Sequence, residues 1–326
     1  RLYIMYLLIN ELMKQLHKTL LVLSPGLVAA AILLAGCDKK DPSYNTSHPD
    51  YGTVTLTTDW SGIGEGLTAP ASYTVAVTPA AATATGDYTA TVNGTTATLD
   101  HLFAPGMYRA QVYNTPQHIT VAGSVAAVSG ASGNVDGVGT FVHNAPGWLF
   151  ASVIELAIEA DAEHAYTAVM QQQVRQLTLV IEPTGGTVDK IERIEGYLSG
   201  AAGTLDFAAA SPDIATGTHG TPSNVELQFL QIADGENAGK WAATVRLLGT
   251  AGDRQELNAQ LYFTDGSPAA VTLTSDLTTA LAAFNADKRT PLMLGGSVVE
   301  TPTGSGFGAT ITDWLPGIGG DIDANI

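Results

Sequence analysis

Cysteine and positive charge are both scarce in this chain of 326 residues. It holds one cysteine, Cys37, and 14 Lys and Arg residues against 31 Asp and Glu residues. A single cysteine cannot form a disulfide within the chain, so the fold depends on its packed core alone. The formal net charge of −17 repels nucleic acid, whose phosphates require Lys and Arg. Nucleic acid is therefore excluded as a partner.

The short motifs of common catalytic chemistry are also missing. The sequence has no Gly-x-Ser-x-Gly elbow, no phosphate loop with Gly-Lys-Ser/Thr and no His-Glu-x-x-His zinc pair. Asn134-Val135-Asp136-Gly137 begins like a calcium loop, and Asp321 and Asp323 lie in a Gly-rich tail, but neither segment has enough acids for an oxygen cage. We predict a protein that is not an enzyme, with no catalytic residue, cofactor or metal.

A basic start, an apolar segment and the cysteine follow one another near the N-terminus. Lys14 and Lys18 precede the apolar run 19–34, which is shorter than the ~20 residues of a membrane-spanning helix. The run ends in Leu34-Ala35-Gly36-Cys37. This order resembles the signal peptide and lipobox of bacterial lipoproteins. The resemblance implies cleavage between Gly36 and Cys37 and acylation of the cysteine, on its thiol and on the new amino terminus.

The lipoprotein hypothesis divides the start of the chain. We expect the native start at Met13, so that residues 1–36 are over-read upstream sequence plus signal peptide. The alternative is an uncleaved signal anchor with a structural cysteine. Residues 37–51 are polar and without apolar periodicity, which predicts a lipidated flexible stalk. Charged residues directly after Cys37 resemble surface-export signals of Bacteroidales lipoproteins, which implies a surface-exposed position on the outer membrane.

The rest of the chain has the pattern of an all-β protein. Short segments with period-two alternation, such as Thr53–Thr57 and Ser72–Thr78, recur between Gly and Pro residues. The spacing indicates a β-sandwich. A length of 290 residues from Cys37 onward suffices for two domains, which we place at 52–172 and 173–326.

Three local predictions follow from the same pattern. Asn93-Gly94 predicts a hairpin turn into the segment Thr95–Leu99. The Gly- and Ser-rich stretch Gly130–Gly139 predicts a loop. Only Ser275–Phe284 has a helical pattern, with a capping serine and Leu277, Leu281 and Phe284 on one face.

Several motifs occur in an order that resembles a known family. They are Gly52–Trp60 after the stalk, Pro105-Gly106-Met107-Tyr108 with Val112-Tyr113-Asn114, Val174–Leu179 followed by Ile194–Ala202, and Ala309–Trp314. Together they resemble the FimB-like anchor subunits of type V, Bacteroidales-type fimbriae, within the fimbrillin superfamily. The resemblance implies two tandem transthyretin-like, Greek-key β-sandwich domains and fimbrial shaft subunits as partners.

The resemblance also implies how the subunits join. In this family a strand of one chain fills a groove in its neighbour, and in polymerising members an arginine-specific cut after the first strands opens that groove. Here no Lys or Arg lies between Lys40 and Arg109. We therefore expect the first strand to stay in place and the chain to terminate a fibre at the membrane. Ser297–Trp314 is the candidate donated strand; the alternative is that it completes its own sheet.

Two other functions remain open at this stage. A surface glycan-binding lipoprotein would share the anchor and the sandwiches, and would expose Trp148 and Trp241 as a platform. A lipoprotein enzyme would need a cleft with a perturbed acid or base. Burial of the two tryptophans would favour the fimbrial hypothesis.

Overall fold

The computed structural model of the chain describes residues 13–14, 50–81, 84, 86–184, 190–208, 217–266, 269–303 and 306–316, and it describes their side chains except for residues 299–303, 306–310, 312 and 313. Gly36, Cys37, most of the predicted stalk and the tail with Asp321 and Asp323 lie outside the described residues. Among the described residues, no helix has the length and apolar character needed to cross a membrane. Residues Asp50–Ile326 form one structural unit.

Two facing sheets make up the first body of this unit. Its strands are β1 (Thr53–Asp59), β2 (Ser72–Pro79), β3 (Tyr88–Asn93), β4 (Thr96–Thr98), β5 (Gly106–Tyr113), β10 (Phe150–Ile158), β11 (Glu163–Val169) and β12 (Gln171–Gln172). One sheet has the order β12-β10-β5-β2-β3 and the other has the order β11-β1-β4. The period-two pattern sends Val54 and Leu56 of β1 and Tyr73, Val75 and Val77 of β2 into the core between them.

A second body is formed by longer strands. They are β13 (Arg175–Pro183), β14 (Ile191–Asp206), β15 (Thr218–Gln231), β16 (Trp241–Leu247), β17 (Glu256–Phe263), β18 (Val271–Asp276), β19 (Leu292–Thr303) and β20 (Gly306–Pro316). Their order is β18-β17-β14-β15-β16-β13-β19-β20. The end strands meet where the Trp314 indole donates to Ser275 Oγ at 2.9 Å. The strands of this order therefore enclose one core, which includes Leu179, Leu257 and Phe284.

Two hairpins that follow β5 in the chain join the sheet of the second body. The four strands are β6 (Ile119–Ala122), β7 (Val125–Val128), β8 (Gly130–Val135) and β9 (Val138–Val142). β7 pairs with the end of β14, and β9 meets β15 at Val142 and Val225. The predicted division between residues 172 and 173 remains a prediction, and a cut there would separate these paired strands.

The predicted all-β sandwich fold is confirmed, but three local predictions are wrong. Asn93-Gly94 does turn the chain, with a φ of +79° at Gly94. The flanking strands do not form a hairpin, however, because β3 pairs with β2 whereas β4 pairs with β1 in the other sheet. A turn motif determines the local reversal, and the distribution of apolar faces between the sheets decides which strands pair.

The Gly130–Gly139 stretch is the hairpin of β8 and β9 and not a loop. Asp136 and Gly137, with φ values of 51° and 80°, make the turn between the two strands. Glycine in β8 has a packing role, because a Cβ at Gly133 would lie 3.0 Å from the Phe141 ring. A composition typical of loops here allows an aromatic ring to lie across a strand.

The predicted helix Ser275–Phe284 is also absent from this segment. Ser275 lies in β18, which ends at Asp276, and irregular turns follow the strand. The amide of Leu281 donates to the carbonyl of Leu277 at 2.9 Å, but the bonds that follow, from Ala282 to Thr279 and from Phe284 to Leu281, each span only three residues. Leu277, Leu281 and Phe284 are nevertheless buried together, as the pattern predicts. Successive tight turns, and not a helix, bring these three apolar side chains to the same side of the segment.

A buried polar cluster holds the segment that leads from these turns into β19. Arg175 donates from Nε to the carbonyl of Thr290 and from Nη1 to that of Phe284. Lys288 Nζ donates to the carbonyl of Leu248 and lies 2.9 Å from His219 Nε2. Burial, followed by the charge of Arg175, lowers the pKa of Lys288 to about 7. Burial, followed by the charge of Lys288, lowers the pKa of His219 to about 4.

This cluster predicts a loss of stability in mild acid. Between pH 6.5 and 4 the unfolded chain binds a proton at His219 that the folded chain does not, so acidification favours unfolding. We expect the free energy of unfolding of the native chain to fall by about 1–2 kcal/mol relative to His219→Gln over this range. Urea unfolding at pH 7, 6, 5 and 4 measures the difference. Parallel pH profiles for the two proteins would contradict the assignment.

Candidate functional site

The first strand, β1, is held on both edges. It pairs in parallel with β11 from Thr53–Glu163 to Asp59–Val169, and antiparallel with β4 at Thr55–Thr98. On its outer face, Thr55 Oγ1 lies 2.9 Å from Thr98 Oγ1. On its inner face, Val54 and Leu56 are 0% and 1% exposed. Removing this strand would open an apolar slot and free the backbone groups of two neighbouring strands.

The two ends of β1 are fixed as well. Before the strand, Gly52 and Phe103 exchange backbone hydrogen bonds of 2.8 and 2.9 Å. A Cβ at Gly52 would lie 2.7 Å from Ile158 Cγ2, so only glycine allows this close approach. After the strand, the amide of Met170 donates to the carbonyl of Asp59 at 2.8 Å.

The connection from β1 to β2, residues 60–71, lies against the body of the protein. The Gly64 amide donates to Oε1 of buried Gln172 at 2.9 Å, and Ile63 and Leu67 pack on the first core. Trp60 meets Phe150 edge-on at 5.7 Å between ring centroids. This connection contains no Lys or Arg. It therefore offers an arginine-specific protease no side chain to recognise.

The last described strand, β20, is held on one edge. It pairs antiparallel with β19, which in turn pairs in parallel with β13 from Leu177–Leu292 to Pro183–Val298. Among the described residues β20 has no second strand partner. Ile311 is buried, whereas Leu315 is 49% exposed. The segment Ser297–Trp314 is thus paired within its own sheet in this structure. Among the described residues no second strand forms a backbone ladder with β20, although β18 lies beside it where Trp314 donates to Ser275.

The tryptophans proposed for a glycan platform are not exposed together. Trp241 belongs to the core of the second body and is 5% exposed. Trp148 is half-buried, and the guanidinium of Arg246 covers its ring at 5.3 Å from the centroid. Burial of Trp241 removes the arrangement that would favour glycan stacking on these two rings.

Histidines and acids are dispersed over the part of the chain that the structure describes. Within it, no group of three or more His, Cys, Asp and Glu residues could hold a metal ion. Asn134–Gly137, which begins like a calcium loop, is the β8–β9 turn, where the Gly137 amide donates to Asn134 Oδ1 at 3.1 Å. The two largest pKa shifts among the described groups belong to Lys288 and His219, which lie in the polar cluster that holds the segment leading into β19.

No family model matches the sequence, and no curated protein matches it. Solved structures of surface proteins do match the fold. A candidate adhesin from Bacteroides ovatus ATCC 8483 has a TM-score of 0.53 at 17% identity, covering 79% of this chain and 92% of that one. The fimbrial anchor protein Mfa2 from Porphyromonas gingivalis has a TM-score of 0.53 at 12% identity, covering 82% and 97%. A further Bacteroides ovatus candidate adhesin has a TM-score of 0.52 at 13% identity, covering 82% and 96%. The fold expected from the sequence resemblance, that of Bacteroidales fimbrial anchor proteins, is confirmed.

The geometry of β1 predicts resistance to arginine-specific proteolysis. We expect the native chain to retain residues 53–59 covalently after digestion, because the first arginine after them, Arg109, lies in β5, which is paired on both edges. Thr68→Arg, at an exposed position of the connection, should be cut there, whereas Thr68→Gln should not. Intact mass spectrometry distinguishes the products. Quantitative loss of β1 from the native chain would contradict the prediction.

Proposed function

We propose that this chain is a lipid-anchored lipoprotein of the outer membrane that terminates a fimbria and joins the neighbouring shaft subunit by β-strand donation. The observation that carries the proposal is the contrast between the first and last described strands: among the described residues β1 forms backbone ladders on both edges, and β20 on one. The fold shared with a fimbrial anchor protein and with candidate adhesins supports a fimbrial or adhesive role at the cell surface.

The anchor in this proposal is Cys37. A single acyl chain binds a membrane only marginally, whereas a diacylglyceryl group with an N-linked chain gives a stable attachment. Residues 37–51 would then be the stalk between the lipid and the folded body. Residues 1–36 contain three of the 14 basic residues and one of the 31 acidic ones, so the acylated chain would carry 11 against 30 and a net charge of −19.

A chain at the base of a fibre needs one joining end, and its other end must remain closed. The inner residues of β1 fill the first sandwich, and the connection after it has no basic residue. The first body would therefore keep its own strand and accept no donor. The bodies 52–172 and 173–326 are proposed as the two sandwich domains, and the shaft subunit would be joined at the second.

The strand given to the shaft subunit is proposed to be β20. Its departure leaves the pairing of β13 with β16 and β19 intact, so the second sheet keeps most of its ladder. In the partner's groove the strand would regain main-chain hydrogen bonds on two edges and place alternate side chains in pockets. That gain offsets the exposure of the core surface that Ile311 and Trp314 of β20 cover in this structure. The proposed function involves no catalysis.

The membrane anchor is tested by Cys37→Ser. We expect the native chain in the outer-membrane fraction with an acylated Cys37 at its amino terminus, and the variant in the soluble fraction without acyl groups. Membrane fractionation and mass spectrometry of the amino-terminal peptide measure both. A native chain with position 37 unmodified and the leader still attached would contradict the proposal.

Strand donation is tested by locking β20 in place. Gly295 and Leu315 are directly opposite in the β19–β20 register, within the Cα separation that a disulfide bridges. We expect Gly295→Cys/Leu315→Cys to bind the shaft subunit when reduced and to lose at least tenfold in binding when oxidised. The reduced form of the same protein controls for folding. Equal co-purification of the shaft subunit with both forms would exclude β20 as the donor.

A further inference from the structure

A cavity of about 630 Å³ lies beside the connection from β1 to β2 and reaches strand β16 of the second body. Glu65 and Leu67 line it from the connection, Trp148 from the first body, and Gln176 and Arg246 from the facing strands. Its volume is within the range of small-molecule sites, about 300–1,000 Å³. Neither the lipid anchor nor the strand edges use it.

Two guanidinium groups of this cavity are free of carboxylate partners. Arg246 is half-buried against Trp148, and its Nη2 donates to the carbonyl of Ala145 at 3.0 Å. Arg289, also in the lining, is exposed. Among the described residues neither arginine forms an ion pair with an acid. Burial alone lowers the pKa of Arg246, with no acid beside it to raise the pKa again.

Unpaired arginines are unexpected in so acidic a chain. From Cys37 onward acids outnumber bases 30 to 11, yet two bases share one cavity whose lining includes a single acid, Glu65. Asp287, the acid closest to Arg289 in the chain, accepts from the amides of Arg289 and Thr290 and lies 3.8 Å from Arg175. Arg246 is half-buried with no carboxylate to balance its charge, and Arg289 lines the same cavity, so this arrangement favours an anionic ligand that contacts both guanidinium groups.

The backbone around the cavity indicates a compact ligand and not a peptide strand. β16 pairs with β13 along its whole length, and its other edge is occupied by β15 at Trp241–Ala242 and by the Asn144 carbonyl, which accepts from the Arg246 amide at 2.8 Å. These partners occupy both ends of that edge, which disfavours the addition of a strand along it. The Gln176 side chain, by contrast, makes no hydrogen bond within the described residues and can bind a hydroxyl group.

We propose that this cavity binds an acidic saccharide, with the carboxylate of a uronic acid residue between Arg246 and Arg289 and a ring hydroxyl on the amide of Gln176. Glu65 lies at the same cavity and repels the ligand, which sets an upper limit on affinity in the native chain. The site is separate from the strand donation proposed above, since it uses neither edge of β20.

Titration calorimetry of the full-length chain with digalacturonate tests the proposal. We expect digalacturonate to bind about tenfold more tightly than neutral galactobiose. The affinity for digalacturonate should fall by about 10- to 100-fold in Arg246→Gln and in Arg289→Gln. Arg109→Gln removes the same charge outside the cavity and should leave the affinity within about twofold of native. Glu65→Gln should tighten binding by about two- to fivefold.

Several outcomes would overturn this assignment. Equal binding of digalacturonate and galactobiose would exclude the carboxylate as the recognised group. A loss in Arg109→Gln as large as in Arg246→Gln would show a nonspecific charge effect. Equal competition by N-acetylglycine would show that the sugar ring contributes nothing. Arg246 is half-buried, so Arg289→Gln, at an exposed position, keeps the test valid if Arg246→Gln does not fold, which a thermal melt checks.

Discussion

Backbone pairing on both edges of β1 is the constraint on which the first body depends. The strand lies between a parallel and an antiparallel neighbour and supplies Val54 and Leu56 to the core. Removal of β1 would expose apolar surface and break the hydrogen bonds of two ladders at once. Each buried backbone group left without a partner carries an unfavourable free energy. A strand in that position leaves only after its connection is cut, and the connection has no basic residue. The lack of a basic residue and the pairing of β1 therefore both favour a first body that keeps this strand in place.

The two bodies are joined by more than the chain that links them. The buried side chain of Gln172 accepts from the Gly64 amide and donates to the carbonyls of Val174 and Lys288. Three backbone segments distant in sequence thus share one amide, which has little remaining capacity for other partners. The hairpins β6–β7 and β8–β9 add backbone pairs to β14 and β15. Disturbing the β1 connection would therefore affect the second body as well.

Local alternation predicted the strands that line a core, and it could not predict how strands are distributed between sheets. Val54 and Leu56 alternate with threonines, so β1 was predictable from its own residues. The Asn93-Gly94 turn was visible too, but β3 and β4 separate because their partners, β2 and β1, lie elsewhere in the sequence. The cavity arginines had a weak signal: Arg246 is the one charged residue in β16. Its proximity to Arg289 arises only from tertiary packing.

A free strand edge and a large negative charge are complementary features of this molecule. An open edge can pair with any chain that presents backbone groups, including a second copy of the same protein. Copies with a net charge of −17 repel one another over the distance at which their edges would meet, although salt shortens that range to about 10 Å. Self-pairing is thereby disfavoured. Under the proposed strand donation, the edge would remain available to a less acidic polypeptide whose groove encloses the strand.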